Sequence, residues 1–300
     1  MVLPDKSPKV SVCVITYNQE KYIRQCLQSI VDQETDFDFE VIVGEDCSTD
    51  GTRAIVQEFA ERYPGIVKPI YQEINIGGGV HNFLTVHNAA RGEYVSHIDG
   101  DDYFLPNKLQ KQKDFLEFNQ DFSVVWHRVR IVDADNNYLA ETKSLRSVYK
   151  DGIVLFDRLL RYGIAGANSS HMYRRSARKT LLPTFEVLDL FYSLEYLSAG
   201  KGMVLDEALC AYRLMANTLN DNKNLKVRRL AAHHIGYFLK KHPEYKKDVF
   251  LYALTNILRD LKHRRTTYRL FLSLARESFC LISPRELLNH LTCQETFRDI

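Results

Sequence analysis

Four short apolar runs, each closing on polar residues and followed by an amphipathic stretch, leave this chain few ways to fold. The runs are Val10-Ser11-Val12-Cys13-Val14-Ile15, Glu40-Val41-Ile42-Val43-Gly44, Ile66-Val67-Lys68-Pro69-Ile70-Tyr71 and Tyr94-Val95-Ser96-His97-Ile98. Their β-branched residues and scarcity of charge suit strands buried on both faces. Between them Tyr22, Ile23, Cys26, Leu27, Ile30 and Val31 keep helical spacing, as do Ala54, Ile55, Phe59 and Ala60. A third helix is expected from about His81 to Ala90, with Gly92 as its C′ glycine. This alternation predicts an α/β chain, a mostly parallel, open, twisted sheet flanked by helices. Pro69 cannot donate to a ladder, which puts the third run at a sheet edge.

Ligands of such sheets bind beyond the carboxyl ends of the strands. Three polar segments occupy those ends: Thr16-Tyr17-Asn18, Glu45-Asp46-Cys47-Ser48-Thr49-Asp50-Gly51-Thr52 and Asp99-Gly100-Asp101-Asp102. Three carboxylates in four residues repel one another unless water or a cation attends them. Their hard oxygens suit Mg²⁺ or Mn²⁺. Alone, the acidic cluster reads as a solvated turn, Asp46 as a helix cap and Tyr17 as a half-buried aromatic. Together they offer a ring to stack on a base, a carboxylate to accept from a base N–H, and a metal site for phosphates. That combination suits a nucleoside diphosphate. Asn75-Ile76-Gly77-Gly78-Gly79 reads as a mobile loop, since it is neither a P-loop nor a dinucleotide fingerprint.

Three hundred residues, 45% of them hydrophobic, bury a full α/β core and a smaller appendage. The net charge of +2 hides an asymmetry. Residues 1–222 hold 24 Lys and Arg against 31 Asp and Glu, whereas residues 223–300 hold 16 against 7. The six cysteines are scattered without metal-type spacing and read as reduced thiols. No signal peptide is recognisable and no apolar run approaches about 18 residues, so the expected location is cytoplasmic, or peripheral on the cytoplasmic face of a membrane.

The order, spacing and residue types of five blocks resemble the family-2 glycosyltransferases, which have the GT-A (nucleotide-diphospho-sugar transferase) fold. The blocks are Val10-Ser11-Val12 through Thr16-Tyr17-Asn18, Glu45 to Thr52, Asn75-x-Gly77, Arg91-Gly92-Glu93-Tyr94 and Asp99-Gly100-Asp101-Asp102. Tyr103-x-x-Pro106-x-Lys108-Leu109-Gln110-Lys111-Gln112 is similar to a bacterial branch that builds surface polysaccharides. The likeness covers residues 8–215. It implies inverting, metal-dependent transfer from a nucleoside-diphosphate sugar, a UDP-sugar, to a saccharide or lipid-linked acceptor. Residues 1–217 form the implied catalytic domain, with nucleotide-sugar binding over about 8–105 and the acceptor side over about 106–217. The resemblance assigns Asp46 to the base, with Glu45 before it where Asp is commoner, and lays the ring of Tyr17 over that base between Thr16 and Asn18. Asn75 joins the nucleotide side. Asp99 and Gly100 fall near ribose and diphosphate, Asp101 is the metal ligand, and Asp102 orients the loop or holds a metal-bound water.

Inverting transfer needs a base for the acceptor hydroxyl and a cation for the departing diphosphate, across an oxocarbenium-like transition state. The resemblance puts the base at a helix start, where Glu186-Val187-Leu188-Asp189-Leu190-Phe191 stands. Asp189 is the expected base and Glu186 the fallback, with Leu188 in place of the usual acidic neighbour. Tyr212-Arg213 matches the family's Tyr-Arg near the diphosphate. Met215 replaces the histidine that often follows, so either the diphosphate is held without such a residue or Arg213 and Asn217 contribute instead. Lys108 to Phe118 reads as a helix and 122–127 and 129–132 as two strands; the resemblance turns Gly163 to Tyr173 toward donor sugar and acceptor, where His171 is open to binding substrate but reads more readily as a structural histidine.

Residues 218–300 form a basic α-helical C-terminal extension. Such helices present a solvated face, a peripheral inner-membrane contact or a self-association surface. No nucleic-acid module is present. Two other readings stay open. Leu188 and Met215 suit a non-catalytic binding or scaffold subunit, and a nucleotidyltransferase shares the sheet and acidic cluster but would carry a Gly-rich basic loop after the first strand.

Overall fold

The computed structural model describes residues 7–75, 77, 79–215 and 225–295. The four apolar runs become β1 (Val10–Thr16), β2 (Phe39–Glu45), β3 (Val67–Tyr71) and β4 (Tyr94–Asp99), parallel and in the order β3-β2-β1-β4. Their crossovers are α1 (Ile23–Val31), α2 (Thr52–Arg62) and α3 (Val80–Ala89). Pro69 lies on the outer strand, β3, paired with Val43. Register decides where the polar segments emerge. Thr16 lies opposite Glu45, and Ile15 lies between Gly44 and Asp99, so all three leave the sheet at one level.

The chain continues through β5 (Tyr103–Phe104), α4 (Lys108–Phe118), β6 (Phe122–Val132), β7 (Tyr138–Glu141), β8 (Ile153–Val154), α5 (Phe156–Tyr162), β9 (Met172–Arg174), α6 (Asp189–Leu197) and β10 (Lys201–Arg213). Beyond β4 the sheet runs β9-β6-β10-β5, with β6 and β10 parallel and the short strands β5, β7, β8 and β9 antiparallel to their neighbours. The two strands expected at 122–127 and 129–132 are one. β10 follows it through register shifts between Leu205 and Ala208 and between Ala208 and Cys210, which absorb the irregularity without ending the ladder.

Alternation along the strands makes two cores. Val10, Val12, Val14, Val41, Val43 and Ile98 face α1, α2 and α4, while Cys13, Ile42, Val95, Val124 and Trp126 face the opposite side. Gly92 is not the left-handed helix cap expected of it. α3 ends at Ala90 in extended backbone, and Gly92 is needed because a Cβ there would lie 2.5 Å from Ser11 N and 2.8 Å from Val10 C.

The extension supplies α7 (Leu225–Lys241), α8 (Lys246–Lys262), α9 (Tyr268–Glu277) and α10 (Pro284–Glu295). Ile235, Phe238, Val249, Tyr252, Ile257 and Phe271 join the second core beside Phe156, Phe191 and Tyr192. Ion pairs stitch it further: the buried pair Arg228 to Asp260 at 2.5 Å within the extension, and the partly buried pair Arg161 of α5 to Asp248 of α8 at 2.5 Å. The expected boundary at 217/218 lies outside the described residues. No described helix is long and apolar enough to cross a membrane.

Candidate active site

The acidic loop turns tightly beneath β1. Gly100 N–H donates to Ile15 O at 2.9 Å, and a Cβ on Gly100 would fall 2.6 Å from Gln19 Oε1 and 2.9 Å from Thr16 Cβ. The three carboxylates then part ways. Asp102 is 2% exposed; Ser169 Oγ donates to its Oδ2 at 2.5 Å and Arg213 N–H to its Oδ1 at 2.8 Å. Burial, reinforced by Asp101 and Asp99, raises its pKa well above the usual carboxylate range. Asp101 is pushed up to about 6 by burial and then by Asp99, while its own backbone N–H, Arg213 and a hydrogen bond from Gln19 oppose the rise. Asp99 keeps 31% of its side chain exposed and receives His97 Nε2 at 3.1 Å.

Among the described residues no three His, Cys, Asp or Glu side chains form a metal cage. Asp101 with Asp99 beside it is instead the kind of donor set that Mg²⁺ or Mn²⁺ accepts when phosphates and water complete its sphere. The raised pKa of Asp101 comes first from burial and then from the charge of Asp99, and a divalent cation would offset both. The corner fits such an ion.

Arg213 does not meet the expectation of a diphosphate contact. It is 2% exposed, and all five guanidinium N–H groups are committed to the protein. Nε donates to Asp101 O at 2.8 Å, Nη1 to Asp133 O and Ala134 O, and Nη2 to Gln25 Oε1 and Asn136 Oδ1. Its plane covers the ring of Tyr22, 4.5 Å from the centroid. The residue braces the acidic loop from behind. Asn217 lies outside the described residues.

At the ends of β1 and β2, Asn18 adopts a left-handed φ of 49° and accepts from Thr49 N–H at 2.8 Å, while its own N–H donates to Ser48 Oγ at 3.0 Å. Asp46 N–H donates to Thr16 O at 3.1 Å, so the ends of β1 and β2 are laced together. Tyr17 stands 43% exposed at this rim. Asp46 Oδ2 accepts from Asn75 Nδ2 at 3.1 Å. Glu45 is fully buried: its carboxylate accepts from Ser48 N–H at 2.7 Å and pairs with Arg53, so it shapes the loop rather than facing the cleft.

Asp189 is the first residue of α6 and opens to solvent; its Oδ1 accepts from Leu190 N–H at 2.8 Å. Crowding by surrounding protein raises its pKa, Asp99 adds to the rise and His97 opposes it. The open side tempers the shift, and the direction makes Asp189 a stronger base than a free aspartate. Glu186 goes elsewhere. Its carboxylate pairs with Lys226 of α7 at 2.6 Å, and its carbonyl meets His234 Nε2 at 3.1 Å. Phe185 packs on His233 and Tyr237, and Phe191 on Phe238, with centroids 4.9 to 5.4 Å apart. α7 thus buttresses the segment that carries Asp189.

Sequence reasoning missed Gln19, Ser169 and His97. Ser169 lies inside the small, polar Gly163–Tyr173 stretch. His97 had a usable signal, because it precedes Asp99 by two residues on β4 and so shares its face. His171 is buried with its ring parallel to that of His97, centroids 5.8 Å apart.

The family model for glycosyl transferase family 2 matches residues 11–182. A Mycobacterium tuberculosis protein of uncharacterised function, Rv1520, is 37% identical over 211 residues, 69% of this chain and 59% of its own length. The chain therefore spans less than two thirds of that relative. A Bacillus subtilis protein, the putative teichuronic acid biosynthesis glycosyltransferase TuaG, is 30% identical over 219 residues, 72% of this chain and 83% of its own. The crystal structure of Staphylococcus aureus TarS 1–349 with UDP-GlcNAc superposes with a TM-score of 0.63 at 22% identity, covering 97% of this chain and 92% of that one. That last likeness concerns the fold. With the model match spanning more than half of the residues, the chain belongs to glycosyl transferase family 2.

Proposed function

We propose that the protein transfers a sugar, with inversion, from a UDP-sugar to a saccharide or lipid-linked acceptor in surface-polysaccharide synthesis. One observation carries this reading. Tyr17, Asp46 with Asn75, and Asp99 with Asp101 stand at one level of the sheet, and Asp189 lies near enough to feel the charge of Asp99. Tyr17 covers the base and Asp46 accepts from its N–H. Asp189 takes the proton of the acceptor hydroxyl as its oxygen bonds to the anomeric carbon; the bond to the diphosphate breaks, and the nucleoside diphosphate leaves with the electron pair. Asp101, with Asp99, would hold Mn²⁺ or Mg²⁺, and such an ion would supply the positive charge that stabilises the leaving diphosphate. The relative named for teichuronic acid biosynthesis and the fold neighbour solved with UDP-GlcNAc support a surface polymer and a UDP-sugar. Exposed Lys262, Arg264 and Arg269 stand with exposed Leu258, Leu261 and Leu270 at the turn from α8 to α9, a mixture suited to an anionic membrane surface that presents a lipid-linked acceptor.

A panel of nucleotide sugars, each with Mn²⁺ or Mg²⁺, tests the reading through released nucleoside diphosphate. A metal-dependent signal with one UDP-sugar, lost in Asp101→Ala, is expected. A fully active Asp101→Ala variant refutes the assignment of the ion. Absence of any metal-dependent nucleotide binding by calorimetry favours a scaffold subunit instead.

A further inference from the structure

A buried hydrogen-bond chain runs from the second core to the acidic corner. Tyr173 Oη lies 2.8 Å from His87 Nδ1, His87 Nε2 lies 3.0 Å from His97 Nδ1, and His97 Nε2 lies 3.1 Å from Asp99 Oδ1. It draws one member from β9, one from α3 and two from β4. Tyr173 and His97 are fully buried and His87 nearly so. Their surroundings are aromatic: Phe83 stacks on His87 at 3.8 Å and on Tyr192 at 5.4 Å, and Tyr196 stacks on Tyr173 at 4.1 Å. Apolar residues would fill this space without the desolvation penalty that a polar chain carries, so the chain calls for a reason, and the reason lies at its open end.

An ionised carboxylate can only accept, so His97 presents its Nε2–H to Asp99. Two proton arrangements satisfy the remaining links. In one, Tyr173 donates to His87, which donates to His97, with both rings neutral. In the other, a charged His97 donates to His87, which donates to Tyr173. Burial holds the pKa of His87 well below its ordinary value, so that ring is neutral in either arrangement. Both aim the same N–H at the same oxygen of Asp99. The ring of His97 is also clamped, tilted against Phe83 at 5.2 Å and parallel to His171 at 5.8 Å.

We propose that His97, oriented by His87 and Tyr173, is a positioning residue that pins Asp99 Oδ1 and leaves its other oxygen fixed for a hydroxyl or metal-bound water of the nucleoside diphosphate. The inference rests on the nucleotide-sugar reading above. It makes the far hydroxyl of Tyr173 part of nucleotide recognition, although three hydrogen bonds separate it from Asp99. An imidazole whose second nitrogen is held by a further partner is fixed in orientation, which is how outer partners tune a ligand-binding group.

The experiment is calorimetric titration of UDP, and separately of GDP, in the presence of Mn²⁺, on wild type, Tyr173→Phe, His97→Phe and the double variant. Tyr173→Phe removes one hydroxyl and keeps the stacked ring. His97→Phe is expected to weaken UDP binding about tenfold or more, the loss of one hydrogen bond to a charged group, and Tyr173→Phe to weaken it several-fold. The double variant is expected to bind no worse than His97→Phe alone, because both act along one path. A chain that only stabilises the core would lower thermal stability and leave affinity untouched. Unchanged UDP affinity in Tyr173→Phe, or losses that multiply in the double variant, overturns the proposal. Should His97→Phe fail to fold, Tyr173→Phe decides alone, with nitrogen NMR of the His97 ring as the second measurement; a His97 without a proton on Nε2 also overturns it. Wild type that binds neither UDP nor GDP brings down the nucleotide-sugar reading as well, whereas wild-type binding with unaltered variants brings down only the relay.

Discussion

Replacing Asp101 by Asn sets two measurements moving in opposite directions. Burial and the neighbouring Asp99 raise the pKa of Asp101 from 3.8 to about 6 in the folded chain. The folded protein therefore binds this proton more tightly than the unfolded chain does. Stability falls as pH climbs from about 4 to about 6, and above that the loss is constant. At 1.36 kcal/mol per pH unit, the gap corresponds to about 3 kcal/mol at most. Asn cannot reproduce every hydrogen bond of the carboxylate, so a net gain of about 1–2 kcal/mol is expected in metal-free protein at pH 8. For a chain of this size that is a rise of roughly 2–6 °C in Tm. Near pH 4 the gain should shrink toward zero. With Mn²⁺ present the order reverses, because an amide is a poor partner for a hard cation, and transfer should drop about 100-fold or more. Scanning calorimetry in EDTA at pH 4 and pH 8, paired with Mn²⁺-dependent nucleotide release, reads both effects. An Asn variant that is less stable than wild type at pH 8 without metal refutes the electrostatic account of the corner. One that is more stable and still fully active refutes Asp101 as the ion's ligand.

Arg213→Met should lower stability by about 3–5 kcal/mol in urea denaturation, since it strips a buried cation from five acceptors, and it should weaken Mn²⁺-dependent nucleotide binding by loosening the loop. Asp189→Asn should keep UDP affinity and lose most turnover, whereas Glu186→Gln should retain turnover, because Glu186 is paired with Lys226; single-turnover kinetics with calorimetry separate the two. Gly92→Ala forces a methyl group against the β1 backbone and should cost about 1–3 kcal/mol in denaturant titration without altering the metal dependence of turnover.

Strand ends were readable from sequence for a physical reason. A parallel sheet aligns the last residue of each apolar run, so Tyr17, Asp46 and Asp99 could be grouped without knowing a single contact. Orientation was not readable. Arg213 stands where a diphosphate contact was expected, yet its direction is decided by Gln25, Asp133 and Asn136, residues 77 to 188 positions away. Gly92 satisfied a local rule for helix ends, while the approach of Ser11, invisible in the local pattern, is what demands glycine there. In the extension, helical periodicity was plain and the docking face was not, because spacing names an apolar stripe without naming Phe185 and Phe191 as its partners.

The acidic cluster shows most clearly what long-range contacts add. Along the chain Asp99, Asp101 and Asp102 are three equivalent carboxylates. In the fold Asp102 is sealed by Ser169 and the Arg213 amide, and Asp99 is tied to a histidine chain that begins at Tyr173. Asp101 has its backbone carbonyl held by Arg213 and its carboxylate touched by Gln19, with a pKa lifted by burial and by Asp99. A group in that state gains from a cation, because the ion relieves a charge that the protein itself leaves undercompensated. Each partner is more than 65 residues from the carboxylate it distinguishes, apart from the neighbouring His97, so the division of labour within four residues is written almost entirely by the rest of the sheet.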